Sequence, residues 1–179
     1  MALVSLGPPR TVRIYRNSPE GSYSIGQNIG GFANVGYDDT AAPWEDAVEG
    51  FRAPIGGPPS PTPPYYSSIA NNVENQIRDY VPLSSVATDG VRVYGRVTNA
   101  VDLFWNGTSV GYNSTSFDEF ADWEFYIPAA LLLPGEINLL AIRHKASGAD
   151  AGSQAARINY TIEAPGFPPS WNFNVRWST

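Results

Sequence analysis

The chain holds one histidine, His144, and no cysteine. Catalysis of the common hydrolytic kinds needs a nucleophile beside a base, two opposed carboxylates, or a metal cluster. His144 stands between Arg143 and Lys145 in a stretch of strand character, INLLAIRH, and no partner motif accompanies it. It reads as a surface histidine at a strand end rather than a general base. The densest acidic run is Asp118, Glu119, Asp122 and Glu124. Carboxylates so close would hold calcium in an inter-strand loop, but the D-x-D-x-D-G order of a dedicated loop is missing, and solvated acids are the plainer reading. Asp38-Asp39 and Glu45-Asp46 are pairs of the kind any acidic protein offers, and a glycosidase would need two carboxylates opposed across the substrate. Gly26, Gly30 and Gly31 fall in a polar segment without the strand-to-helix context of a phosphate loop. Without cysteine, disulfides and thiolate metal sites are excluded. The residues thus predict no catalytic centre, no cofactor and no metal: the chain is not an enzyme.

Aromatic chemistry is better represented, with ten Tyr, eight Phe and five Trp. Tyr65-Tyr66, Trp105 and Tyr112 have flat faces that would stack on sugar rings, although most aromatics in a β-sandwich belong to its core. Asn106-Gly-Thr, Asn113-Ser-Thr and Asn159-Tyr-Thr match the glycosylation pattern. The start, MALVSLGPPR, lacks the basic region and apolar run of a secretory leader, so the chain reads as an intact product and these matches as coincidence. The net charge of −6 and pI of about 4.6 argue against nucleic-acid binding and polybasic membrane contact. No apolar run approaches the length of a membrane span.

The elements that must position these groups are mostly strands. Within VDLFWNGTSV (101–110), two short strands flank Asn106-Gly107, the strongest short-range hairpin signal, because a type I′ turn needs φ > 0 at both central residues. Residues 91–97 (VRVYGRV), 123–127 (WEFYI, ended by Pro128), 137–144 and 156–163 (ARINYTIE) alternate as strands, and 81–87 has strand character. Residues 131–135 make a turn at Pro134-Gly135, and 146–154 is a small-residue loop. Turn signals at this spacing indicate a sandwich or barrel. Upstream, 11–16 (TVRIYR) alternates, and 22–29 is a weaker strand. Residues 43–51 (PWEDAVEGF) space Trp44, Ala47, Val48 and Phe51 for one or two helical turns. Residues 67–80 place Ile69, Val73, Ile77 and Tyr80 on one face of a short helix stopped by Pro82, with an irregular coil as the competing reading. GGPPSPTPP (56–64) is a polyproline-type linker or arm, and Pro8-Pro9 marks residues 1–10 as an arm. In the tail, Trp171, Phe173, Val175 and Trp177 share one face. That face would serve a further strand on the chain's own sheet, or one that packs on another subunit.

From Gly95 and Val97 through Val101, Leu103, Asn106, Gly107, Val110 and Gly111, then Asp122, Trp123 and Phe125, then Leu133, Pro134, Gly135, Leu139 and Ala141, the order resembles the bacterial Ig-like domains of surface adhesins and phage virion proteins. The resemblance covers residues 81–164. It implies an all-β fold, an Ig-like antiparallel β-sandwich. Outside the resemblance, residues 1–80 form an irregular Pro/Gly-rich segment, read as an extended arm or a small irregular β module with short helices, and 165–179 a C-terminal strand or arm. Such domains serve as spacers, decorations and ligand binders alike. With an acidic composition, a single such domain and a long N-terminal segment, the expectation is a non-enzymatic structural protein of a bacteriophage virion. It would be a capsid decoration or head- or tail-associated component that binds neighbouring capsid or tail subunits or forms a homo-oligomer. The alternative is a carbohydrate-binding or adhesin module at a bacterial cell surface, with host-surface carbohydrate as partner. A third reading is an accessory sandwich domain of an enzyme. The residues expected to make assembly contacts are Leu3, Val4, Leu6, Trp44, Phe51, Tyr65, Tyr66, Trp171, Phe173 and Trp177.

Overall fold

A computed structural model of the chain describes residues 11–15, 31–40, 44–46, 66–67, 74–87, 89–98, 100–114, 120–145, 157–164 and 172–178. Its strands are β1 (Thr11–Tyr15), β2 (Trp44–Asp46), β3 (Tyr66–Ser67), β4 (Glu74–Pro82), β5 (Val91–Thr98), β6 (Ala100–Trp105), β7 (Thr108–Ser114), β8 (Phe120–Ile127), β9 (Ile137–Lys145), β10 (Arg157–Glu163) and β11 (Asn172–Ser178). They form a six-stranded sheet, β2-β1-β4-β9-β6-β7, and a five-stranded sheet, β3-β11-β10-β5-β8. Every pairing is antiparallel except the short β11–β3 pair. The all-β sandwich is therefore as the sequence implies.

The core follows from alternation. Val91, Val93 and Val97 of β5, Trp123 and Ile127 of β8, and Ile158, Tyr160 and Ile162 of β10 meet Ile77, Val81, Val101, Leu103, Trp105, Leu140 and Ile142 from the other sheet. Residues that alternate with these face outward, as period two requires. At the β6–β7 turn Asn106 has φ 48° and Gly107 φ 85°, the two positive values a type I′ turn demands.

Two helical readings are corrected. Residues 44–46 are strand β2, paired with β1. Residues 74–82 are strand β4, which lies between β1 and β9. The strand reading of 81–87 is corrected as well, since β4 stops at Pro82 and the Ala87 amide closes a turn on the Ser84 carbonyl at 3.0 Å. β4 also crosses the expected boundary between residues 80 and 81. Part of the N-terminal segment packs on the chain's own sandwich. Phe32, Ala33 and Trp44 bury themselves with Leu139 and Ala141 on the outer face of the six-stranded sheet, and Tyr37, Tyr80 and Phe104 pack around them. The arms at 1–10 and 56–64, the strand at 22–29 and the loop at 146–154 lie outside the described residues.

Candidate functional site

The two outer faces of the sandwich differ. That of the six-stranded sheet is partly roofed by residues 31–40 and Trp44. That of the five-stranded sheet stands exposed among the described residues, with the outward side chains of β5, β8 and β10 on it.

On this open face Arg92 of β5 lies opposite Tyr126 of β8 on one side and Glu163 of β10 on the other. Its guanidinium donates from Nε and Nη2 to the two carboxylate oxygens of Glu124 at 2.7 and 3.0 Å, and from Nη1 to Glu163 at 3.2 Å. The Tyr94 hydroxyl donates to the other Glu163 oxygen at 2.8 Å, and Arg92 rests over the Tyr94 ring at 4.3 Å. Arg96 pairs with Asp122 at 3.2 Å, and the Arg96 amide donates to the Asn159 side chain at 2.7 Å. These contacts set the local titration. Hydrogen bonds to Glu124 and then Glu163 push Arg92 above its ordinary value, the Arg92 bond holds Glu124 below its own, and the Glu163 bond raises the Tyr94 phenol.

Tyr126 supplies the apolar surface. The phenol end of its ring lies against Gly90, at φ 108°, where any side chain would collide with it. Its hydroxyl donates to the Asp89 carbonyl. Yet the residue is 61% exposed. A ring tethered at its hydroxyl end by backbone and otherwise largely in solvent stands beside a fixed array of charged hydrogen-bonding groups.

The structure redistributes the residues singled out from sequence. His144 is not at the surface but fully buried, because the alternation of β9 turns it inward with Leu140 and Ile142. Trp105 is likewise fully buried, its indole donating to Asn138 at 3.2 Å, so it offers no stacking face. Tyr112 is 56% exposed on β7, and Trp44 is buried within this chain at 4% exposure. Tyr66 pairs through its backbone with Trp177, and Phe173 with Tyr160, so β11 is a strand of the chain's own sheet. Leu3, Val4, Leu6, Phe51, Tyr65 and Trp171 lie outside the described residues, as do Asp118, Glu119, Gly26 and Gly30. Asp122 and Glu124 belong to the cross-strand ion pairs above. Asp38 bonds the Thr40 hydroxyl and amide, at 2.6 and 3.0 Å, which lowers its pKa, while Asp39 is buried against Arg78. Among the described residues no group of three or more His, Asp or Glu is placed to hold a metal ion, and no helix is long and apolar enough to cross a membrane. Sequence reasoning missed Tyr126. The available signal was its place in WEFYI, where it shares the polar register with Glu124.

The sequence matches no family model and no curated protein. Among solved structures the chain is similar to a PA14 sugar-binding domain from an RTX adhesin, at TM-score 0.38 and 12% identity over 56% of this chain and 51% of that one. It is similar to a glycosyl hydrolase family 2 member from Bacteroides cellulosilyticus, at TM-score 0.48 and 11% identity over 93% of this chain and 30% of that one. For a beta-glucuronidase from glycoside hydrolase family 2 the values are 0.47 and 12%, over 97% and 27%. The chain thus spans about half the length of the first (51%) and less than a third of the other two (30% and 27%). Superpositions this loose, at such identity, carry no argument about what this chain binds or does.

Proposed function

We propose that the chain is a non-catalytic binding module that takes carbohydrate on the open face of its five-stranded sheet. The observation that carries this reading is Tyr126, clamped on Gly90 and Asp89 and still 61% exposed. The C–H face of a sugar ring packs on such an aromatic plane. Sugar hydroxyls donate to carboxylates and accept from guanidinium, and Arg92, Glu124 and Glu163 stand next to the ring in one bonded array. Because these groups are already tied to one another, binding need not order them, which lowers its entropic cost. A module of this kind acts where glycans are displayed, at a cell surface or outside the cell. The reading as a bacteriophage structural subunit rests on the resemblance to Ig-like domains, the acidic composition and the long N-terminal segment, and no feature of the geometry favours it.

The test is titration of the chain against galactomannan, mixed-linkage β-glucan and xylan. Binding to at least one is expected. Tyr126→Ala should weaken that binding at least tenfold while the chain still melts cooperatively, its midpoint lowered by no more than a few degrees (about 2–4 °C per kcal/mol) for the lost bond to Asp89. No binding to any of the three, or equal binding by Tyr126→Ala, overturns the proposal.

A further inference from the structure

The outer face of the six-stranded sheet carries a second constellation of the same chemistry, which reaches solvent at its β7 edge. Register aligns Gln76 of β4, Arg143 of β9, Asp102 of β6 and Tyr112 of β7 in one row across four strands. The two ends of the row differ in exposure, with Gln76 at 0% and Tyr112 at 56%. Between them, one carboxylate oxygen of Asp102 accepts from Nε of Arg143 at 2.7 Å and lies 2.6 Å from its Nη2. The two side chains are 24% and 12% exposed, Arg143 and Asp102 respectively, so the pair is largely withdrawn from water but still reachable. Arg143 sits 5.9 Å from the centre of the Phe104 ring, and Phe104 meets Phe32 of the roof edge-on at 5.8 Å. The ion pair is thus flanked by the Phe104 ring, and register sets the exposed Tyr112 opposite Asp102 on the next strand.

We infer that Tyr112, Asp102 and Arg143 form a second glycan site, facing away from the first. The inference rests on the carbohydrate reading of the open face and adds a second site to it. The same logic applies: an aromatic plane for the sugar's C–H face, and a pre-fixed carboxylate and guanidinium for its hydroxyls. A strand partner for this edge fits less well. β6 and β7 shift register between Leu103 and Phe104, and such bulges bend an edge away from further pairing. Since the two sites lie on opposite faces of the sandwich, one straight glycan cannot occupy both, while two glycans can. A single chain then links two glycan strands, and the linkage strengthens the attachment of a polymer beyond what either site provides.

Calorimetric titration of the full chain with short oligosaccharides of galactomannan, mixed-linkage β-glucan and xylan measures stoichiometry, and turbidity with the parent polymers measures cross-linking. Two oligosaccharides per chain and polymer cross-linking are expected for the glycan that binds. Tyr112→Ala and Tyr112→Thr, the second keeping β-propensity at the edge strand, should each leave one site and abolish cross-linking. Tyr126→Ala should do the same from the other face. A stoichiometry of one that is insensitive to both Tyr112 variants and lost in Tyr126→Ala overturns the second site and leaves the first standing. Binding of none of the three glycans overturns both.

Discussion

Asn138 ties one end of the sandwich together. It is fully buried, and its side-chain oxygen accepts from the Trp105 indole at 3.2 Å, the Asn106 amide at 2.9 Å and the Leu133 backbone amide at 2.9 Å. Its nitrogen donates to the carbonyls of Leu133 and Glu136 at 2.9 and 3.2 Å. Asn106 completes the knot, donating to the Leu131 carbonyl at 2.9 Å and accepting from the Leu139 amide at 2.8 Å. Replacing Asn138 with Ala strands several buried donors and acceptors at once, and each stranded group costs about 1–3 kcal/mol. Asn138→Ala is therefore expected to lower the unfolding free energy by about 3 kcal/mol or more, read as a shift of the urea midpoint. A shift equivalent to less than about 1 kcal/mol would show that the knot is not what orders this end. The turn itself was legible, because Asn-Gly encodes its positive φ values directly. The knot was not. In INLLAIRH the clue is a polar residue in the inward register of Leu140 and Ile142, but nothing local says that its partners lie at residues 105, 106 and 133.

At the scale of the element, β4 shows why a central strand can be mistaken for a helix. Ile77 and Val81 point into the main core, but so does Asp79, which accepts from the Tyr160 hydroxyl at 2.7 Å. Gln76 and Arg78, on the other face, are also fully buried. With both faces covered and polar groups on each, the apolar alternation that marks a half-buried strand is gone. The accidental spacing of Ile69, Val73, Ile77 and Tyr80 then imitates a helix. The polar groups are satisfied by residues far away in sequence. Arg78 donates to Asp39 at 2.7 Å, to the Asn34 and Tyr37 carbonyls at 3.0 and 3.4 Å, and to the Phe32 carbonyl. It also donates to the Tyr80 hydroxyl at 2.9 Å, which in turn donates to Asp39 at 2.7 Å. The Arg78 guanidinium lies 5.3 and 5.5 Å from the Tyr37 and Tyr80 ring centres. One buried cation thereby fastens residues 31–40 to the sheet. Removing one member of a buried pair leaves the other charge uncompensated, at about 3–5 kcal/mol. Arg78→Ala should destabilise by that order and speed amide exchange at Asn34 and Tyr37, whereas Arg78→Met with Asp39→Leu should recover part of the loss. Unchanged exchange in Arg78→Ala would mean that the roof is held by its apolar residues alone. Burial and the bond to Asp39 raise the Tyr80 phenol above its ordinary 10.0. A group whose folded pKa is raised stabilises fully below the unfolded value and loses that contribution as pH rises through the folded one. The chain should therefore lose stability above about pH 10, and Tyr80→Phe should flatten that part of the profile of thermal midpoint against pH.

At the scale of the whole molecule, the question is whether the N-terminal half is an attachment or part of the fold. Composition favours an attachment, since the Pro- and Gly-rich stretches before residue 65 show no sustained period, and 17 Gly and 16 Pro are a heavy load for 179 residues. The described parts of that half point the other way. β1 pairs along its length with β4, β2 pairs with β1, and Phe32, Ala33 and Trp44 form a second small core with Leu139 and Ala141. Sequence could not reveal this core, because its halves lie about a hundred positions apart and each looks unremarkable alone. The difference decides an experiment. If the segment were an arm, deleting residues 1–64 would leave a folded sandwich. In the structure that deletion strips β1 from one side of β4, uncovers Leu139 and Ala141, and leaves the Arg78 cation without Asp39 or its three carbonyl acceptors. The loss of a buried charge partner alone amounts to about 3–5 kcal/mol, a large share of the 5–15 kcal/mol typical of a domain. The deleted chain is expected to melt at least about 10 °C lower than the full chain, or without cooperativity, since each kcal/mol moves the midpoint of a domain this size by about 2–4 °C. A cooperative melt at the full-chain midpoint would restore the arm reading and make the buried contacts of Phe32, Ala33, Asp39 and Trp44 incidental to stability.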